Sequence, residues 1–149
     1  MVEIVPLPPL RRYVLRGDPA PLGALGLKVP PLLQAAAAGA VHVLALGPDE
    51  WWVMAEAPPA WPGGAWVTEV SAGRAGVSLA GPDAPLLLAE GCPLDLTHFP
   101  AGACTRTLFG KVEILLWRRG EALWHVETAR SFAPHLAAHL AEARADLLA

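Results

Sequence analysis

The chain has 149 residues, enough for one domain with a real core and too few for two of ordinary size. Apolar residues make up 54% and charged residues only 17%, which excludes intrinsic disorder, a state that needs low hydrophobicity and high charge. A net charge of −3 with no basic stripe argues against nucleic-acid binding, and the shortage of charge leaves apolar surface over for a partner protein.

In chain order, Met1 to Leu10 lacks the basic stretch, apolar run and small-residue cleavage site of a signal peptide, so a cytoplasmic location is expected. A strand is predicted over 11–16, followed by a short helix over 19–25 for which Asp18 supplies a cap and Pro19 a first-turn residue. A second helix is expected over 30–38, then strands over 41–46 and 51–56. The most membrane-like stretch, Leu32 to Gly47, is interrupted by Gln34 and His42 and is too short to span a bilayer, so no membrane association is expected. In adjacent Trp51 and Trp52 the side chains point to opposite faces of a strand. A single-layer core takes only one of them, leaving the other for the Pro-rich loop at Pro58 to Ala65 or for a partner, where tryptophan is enriched. That loop leads into a strand candidate at Trp66 to Val70.

The second half repeats the first. Leu15-Arg16-Gly17-Asp18-Pro19-Ala20-Pro21-Leu22 matches Leu79-Ala80-Gly81-Pro82-Asp83-Ala84-Pro85-Leu86 at an offset of 64, with five of eight positions identical. Strand 76–80, helix 83–90 and strands 104–109, 112–118 and 122–128 follow. The expected fold is α+β: a split β-α-β (ferredoxin-like) internal repeat, an antiparallel sheet with helices on one face. It forms a single domain over 1–149, with pseudo-repeat halves about 11–56 and 76–128 and a C-terminal helix over 131–148. Ser131 can cap that helix, and Phe132, Leu136, Leu140, Ala143 and Leu147 fall on one face, suited to packing on the domain's own sheet.

Chemistry is scarce. The only serines are Ser71, Ser78 and Ser131, none in a nucleophile elbow, and no Gly-rich phosphate loop is present. His135 and His139, with Glu142 three further on, have zinc-compatible spacing but also suit the solvated face of a helix. His125 and Glu127 share one strand face and fit either an acid–base pair or a polar pair on the solvent side. His42 and His98 read as structural. Cys92 and Cys104, twelve residues apart, match no zinc or redox spacing and read as reduced. The chain has no Asn, one Gln and 16 Pro, a bias that heat adaptation and GC-rich codon usage both produce. Catalytic, cofactor-binding and metal residues are therefore all expected to be absent.

One motif series remains. Gly81-Pro82-Asp83-Ala84 precedes Gly91-Cys92-Pro93-Leu94-Asp95-Leu96, then Phe99-Pro100-Ala101-Gly102, Cys104, Thr107 and Arg130-Ser131-Phe132-Ala133. Together with the Leu46 to Trp51 turn, this series resembles the gamma subunit of heterotetrameric sarcosine oxidase. The resemblance implies a relationship to the folate-binding domain of glycine-cleavage aminomethyltransferases and a non-catalytic subunit that supports assembly. It implies larger alpha and beta and small delta subunits as partners, and FAD, FMN, NAD and tetrahydrofolate held by the larger subunits. This chain would bind none of them. The aminomethyltransferase strand carries an acidic pair where Val112-Glu113 stands here. The alternative is a free-standing folate-binding or one-carbon-transfer domain. An iron–sulfur assembly role is disfavoured, since Gly91-Cys92 lies between Glu90 and Pro93 and not in a Lys-Gly-Cys-Tyr motif. Within the subunit reading, Arg130, Ser131 and Phe132 are the expected subunit contact, Arg130 meeting a partner carboxylate or, locally, the sheet edge.

Overall fold

The computed structural model describes residues 1–149. In chain order its strands and helices are β1 (Glu3–Pro6), β2 (Arg11–Arg16), α1 (Ala20–Ala24), β3 (Ala35–Ala38), β4 (Val41–Gly47), β5 (Glu50–Ala55) and β6 (Val67–Glu69), then β7 (Arg74–Ala80), α2 (Ala84–Ala89), β8 (Cys104–Phe109), β9 (Val112–Gly120), β10 (Leu123–Ala129) and α3 (Ala133–Leu148). The fold is α+β with two antiparallel sheets, where the sequence led us to expect one. The chain divides into two compact units, Met1–Leu7 with Gly73–Ala149, and Pro8–Ala72. No helix is long and apolar enough to cross a membrane.

The first unit has strand order β1-β7-β10-β9-β8. Its helices α2 and α3 both cover one face, where Leu87, Leu88, Leu136 and Leu140 pack with Leu79, Ile114, Leu116, Trp124 and Val126. Each large apolar side chain so buried contributes roughly 1.5–3 kcal/mol. The β8–β9 hairpin turns on Gly110, whose φ of 61° lies in the left-handed region. A side chain there would also strike the ring of His139, 2.7 Å away.

The second unit has strand order β3-β4-β5-β2-β6. Tyr13, Leu15, Leu22, Leu27, Val43, Ala45, Trp51 and Val53 form its core, and Trp61 from the Pro-rich loop packs on it, 5.5 Å from the Tyr13 ring.

At the 64-residue offset β2 maps onto β7, α1 onto α2, β4 onto β8 and β5 onto β9. Sheet order nevertheless differs between the units. In the second, β5 lies between β2 and β4, so the two strands joined through α1 flank a third. In the first, β10 sits between β7 and β9. Connection length explains this. Two residues join β9 to β10, which forces a hairpin, whereas β5 and β6 are separated by residues 56–66, long enough to carry β6 to the far side of β2.

Three local expectations need correction. The second helix over 30–38 does not form. Leu33 has φ of 62°, which ends any helical path after Pro30-Pro31, and Ala35–Ala38 pair with β4 instead. Hairpin pairing across the Gly39-Ala40 turn overrides alanine's helix propensity. Ser131 does not cap the last helix. Residues Arg130–Phe132 form a 3₁₀ turn, and Phe132 occupies the cap position with no side-chain capping bond. Both Trp51 and Trp52 are buried, because both faces of β5 are covered, and Trp52 Nε1 donates to Glu50 Oε2 at 2.9 Å.

Candidate functional site

The family-like motif between α2 and β8 proves to be architectural. Gly91 allows the β8–β9 turn to approach. Its carbonyl accepts from Gly110 N at 2.9 Å, and a Cβ on it would lie 2.9 Å from that nitrogen and from the Phe109 ring. Cys92 is buried with Sγ 3.8 Å from Thr107 Oγ1. Asp95 caps the 3₁₀ turn Leu96–His98 by accepting from Thr97 N, and Leu96 enters the core. Bonds from Thr97 and His98 pull the Asp95 carboxyl down to about 2. Phe99 stacks on Trp124 at 5.5 Å, and Arg118 lies over the same indole while donating to Phe99 O at 2.7 Å. Gly91, Cys92, Asp95, Leu96 and Phe99 of this motif thus each close a loop or enter the core.

The titratable residues singled out from the sequence lie at different depths. His125 and Glu127 are 1% and 0% exposed, so the solvent-side reading is overturned. His125 Nε2 meets Glu127 Oε1 at 3.0 Å, and Arg74 Nε donates to Glu127 Oε2 at 3.3 Å. Gly76 stands opposite Glu127 in the ladder, where a Cβ would crowd Leu7 Cδ1 at 3.0 Å and the Val126 carbonyl at 3.2 Å. The His135 and His139 rings stand 6.4 Å apart, and His139 is turned onto Phe109 at 4.6 Å. His42 lies half-buried on β4, and His98 is exposed and bonded to Asp95 at 2.7 Å.

Two surfaces remain. One is the corner entering α3: Arg130 and Ser131 are exposed, and Phe132 is 53% exposed although it begins the apolar stripe of that helix. Leu136, Leu140 and Ala143 of the same stripe are buried. The other surface is the edge of the second unit. Trp66 is 89% exposed and opens onto a groove of about 760 Å³ lined by Val14, Arg16, Trp66, Thr68 and Val70, with Gly64 and Ala65 at one end. In the sequence Trp66 reads only as the start of a strand candidate. The usable signal was its position after Gly63-Gly64 and immediately before a three-residue strand. Glu69 anchors that strand by accepting from Ser71 Oγ at 2.8 Å and Arg11 Nη1 at 3.0 Å. Both bonds hold its carboxyl below the usual range, the Ser71 bond more strongly.

The chain is 33% identical over 143 residues to the sarcosine oxidase subunit gamma of an Arthrobacter species, covering 87% of this chain and 70% of that one. It belongs to the sarcosine oxidase gamma-subunit family. The gamma subunit of Corynebacterium strain U-96 is 35% identical over 120 residues, 72% of this family member and 58% of the relative. The chain thus spans less than two thirds of that relative's length. In three dimensions it superposes with a TM-score of 0.89 and 29% identity on a chain of the heterotetrameric sarcosine oxidase from Corynebacterium U-96 in complex with pyrrole 2-carboxylate, covering 99% of this chain and 86% of that one. Aminomethyltransferase T of the Bartonella henselae glycine cleavage system shares the fold, with a TM-score of 0.71 at 16% identity over 93% of this chain and 45% of that one. No protein-family model matches the chain.

Proposed function

We propose that this chain is a non-catalytic gamma subunit of a heterotetrameric sarcosine oxidase in the cytoplasm. There it supports assembly of a flavin- and folate-dependent oxidative demethylation complex. Its partners are the larger alpha and beta and the small delta subunits. FAD, FMN, NAD and tetrahydrofolate are held by the larger chains and none by this one. The observation that carries the reading is the superposition along nearly the whole chain on a chain of such a heterotetramer. The structural duty of the motif at Gly91 to Thr107 and the burial of the His125–Glu127 pair support it. Arg130, Ser131 and Phe132 form one contact with a larger subunit, with Phe132 as its apolar anchor.

Residues 1–149 act as one domain, built from duplicated split β-α-β halves over about 11–56 and 76–128. The repeat at offset 64 and the passage of the chain from β1 out to the second unit and back to β7 support this. Co-expression of the tagged chain with the other subunits tests the reading: the complex should be recovered with flavin absorbance. Recovery of a colourless single chain that binds tetrahydrofolate by calorimetry would establish the free-standing folate-binding domain instead.

A further inference from the structure

The second unit's sheet ends in β6, and the hydrogen-bonding pattern shows what that end presents. Val70 N donates to Arg12 O at 2.8 Å, and the register pairs Val14 with Thr68. In an antiparallel ladder the residues whose backbone groups face the neighbour alternate with those whose groups face away. Thr68 and Val70 therefore face β2, and the N–H and C=O groups of Val67 and Glu69 point outward from the sheet. Natural edges are guarded by lysine or other charges, proline, bulges or shortness. Val67-Thr68-Glu69 is short but has no lysine, proline or bulge, and its one charge is held by Arg11 and Ser71.

Beside this open edge the side chains of Trp66, Thr68 and Val70 alternate onto the groove face, with Val14 and Arg16 across the ladder. Arg16 is the groove's only charged lining residue. Its side chain is 66% exposed, touching Glu50 Oε1 at 3.5 Å with only part of its five-donor fork. An indole this exposed, a row of unanswered backbone groups and a cation at one end specify a single kind of occupant. We infer that the β6 edge receives an extended segment of a larger subunit, which adds a strand to the sheet, lays alternate apolar side chains against Trp66 and Val14, and sets a carboxylate against Arg16. The inference rests on the subunit reading above and adds the surface and the mode of contact.

The test is made on the co-expressed complex. Amide exchange at Val67 and Glu69 should slow at least a hundredfold on assembly, while the amides of Thr68 and Val70, already bonded to β2, change little. Trp66→Ala should lower the amount of chain retained by the complex tenfold or more, with Trp66→Phe keeping most of it. Val67→Pro, which removes an outward donor and no bond to β2, should act like Trp66→Ala. A complex that forms normally with all three variants and leaves Val67 and Glu69 exchanging fast overturns the inference and spares the subunit reading. Failure to form any complex overturns both. Protection of the same amides in a symmetric pair of this chain alone also overturns it.

Discussion

The two units begin with a similar order of elements and end differently. Beyond the shared β-α-β-β order, the first closes its sheet with a two-residue hairpin and covers it with a six-residue and a sixteen-residue helix. It also encloses the Arg74–Glu127–His125 cluster. The second has the five-residue α1, a Pro-rich loop in place of a second helix, and an edge strand tied down by exposed Arg11, Glu69 and Ser71. One half buries a polar cluster and the other keeps a sheet edge open. Connection length, and not strand content, separates them.

That contrast can be broken in several ways. The largest effect is expected at Glu127. Its removal leaves buried His125 and half-buried Arg74 without their shared carboxylate, and Glu127→Ala should cost about 3 kcal/mol in urea unfolding. Next comes Gly91→Ala, where the new Cβ meets Gly110 N and the Phe109 ring at 2.9 Å; a loss of about 1–3 kcal/mol is expected. Glu69→Ala, at the exposed edge of the other unit, should move the urea midpoint much less than either. Equal shifts for Glu127→Ala and Glu69→Ala would end the distinction between the units.

The smallest effect is a pH dependence at Asp95. Its carboxyl is drawn from 3.8 to about 2 in the folded chain, so its contribution is present above 3.8 and fades as pH falls toward 2. The difference in stability between the parent and Asp95→Asn should shrink over that interval. A difference that stays constant from pH 5 to pH 2 would show that the bonds from Thr97 and His98 do not favour the charged form.

Much of this architecture was legible in the sequence, and the exceptions have physical causes. The strands of the second half and α2 were readable because alternation and turn residues agree there, and the last helix because its stripe is strongly periodic. Residues 30–38 misled because alanine favours a helix unless strand pairing, here with the next strand across a tight turn, overrules it. β1 was missed because Pro6, Pro8 and Pro9 hide a strand that lies at a sheet edge, where proline is tolerated. The placement of Trp52, His125 and Glu127 failed for a single reason. Alternation assigns a residue to a face, but it cannot say that both faces are covered. The corner at Arg130 to Phe132 was marked by its motif. The edge at Trp66 was not, since its meaning depends on which strand ends the sheet.

The central claim is that this chain is one subunit of a larger oxidase. Native mass spectrometry of the complex isolated through a tag on this chain, from cells expressing all four subunits, tests it most directly. The account predicts one assembly holding this chain once, together with three other chains and bound flavin. A mass equal to this chain alone, or to a multiple of it, would contradict the account.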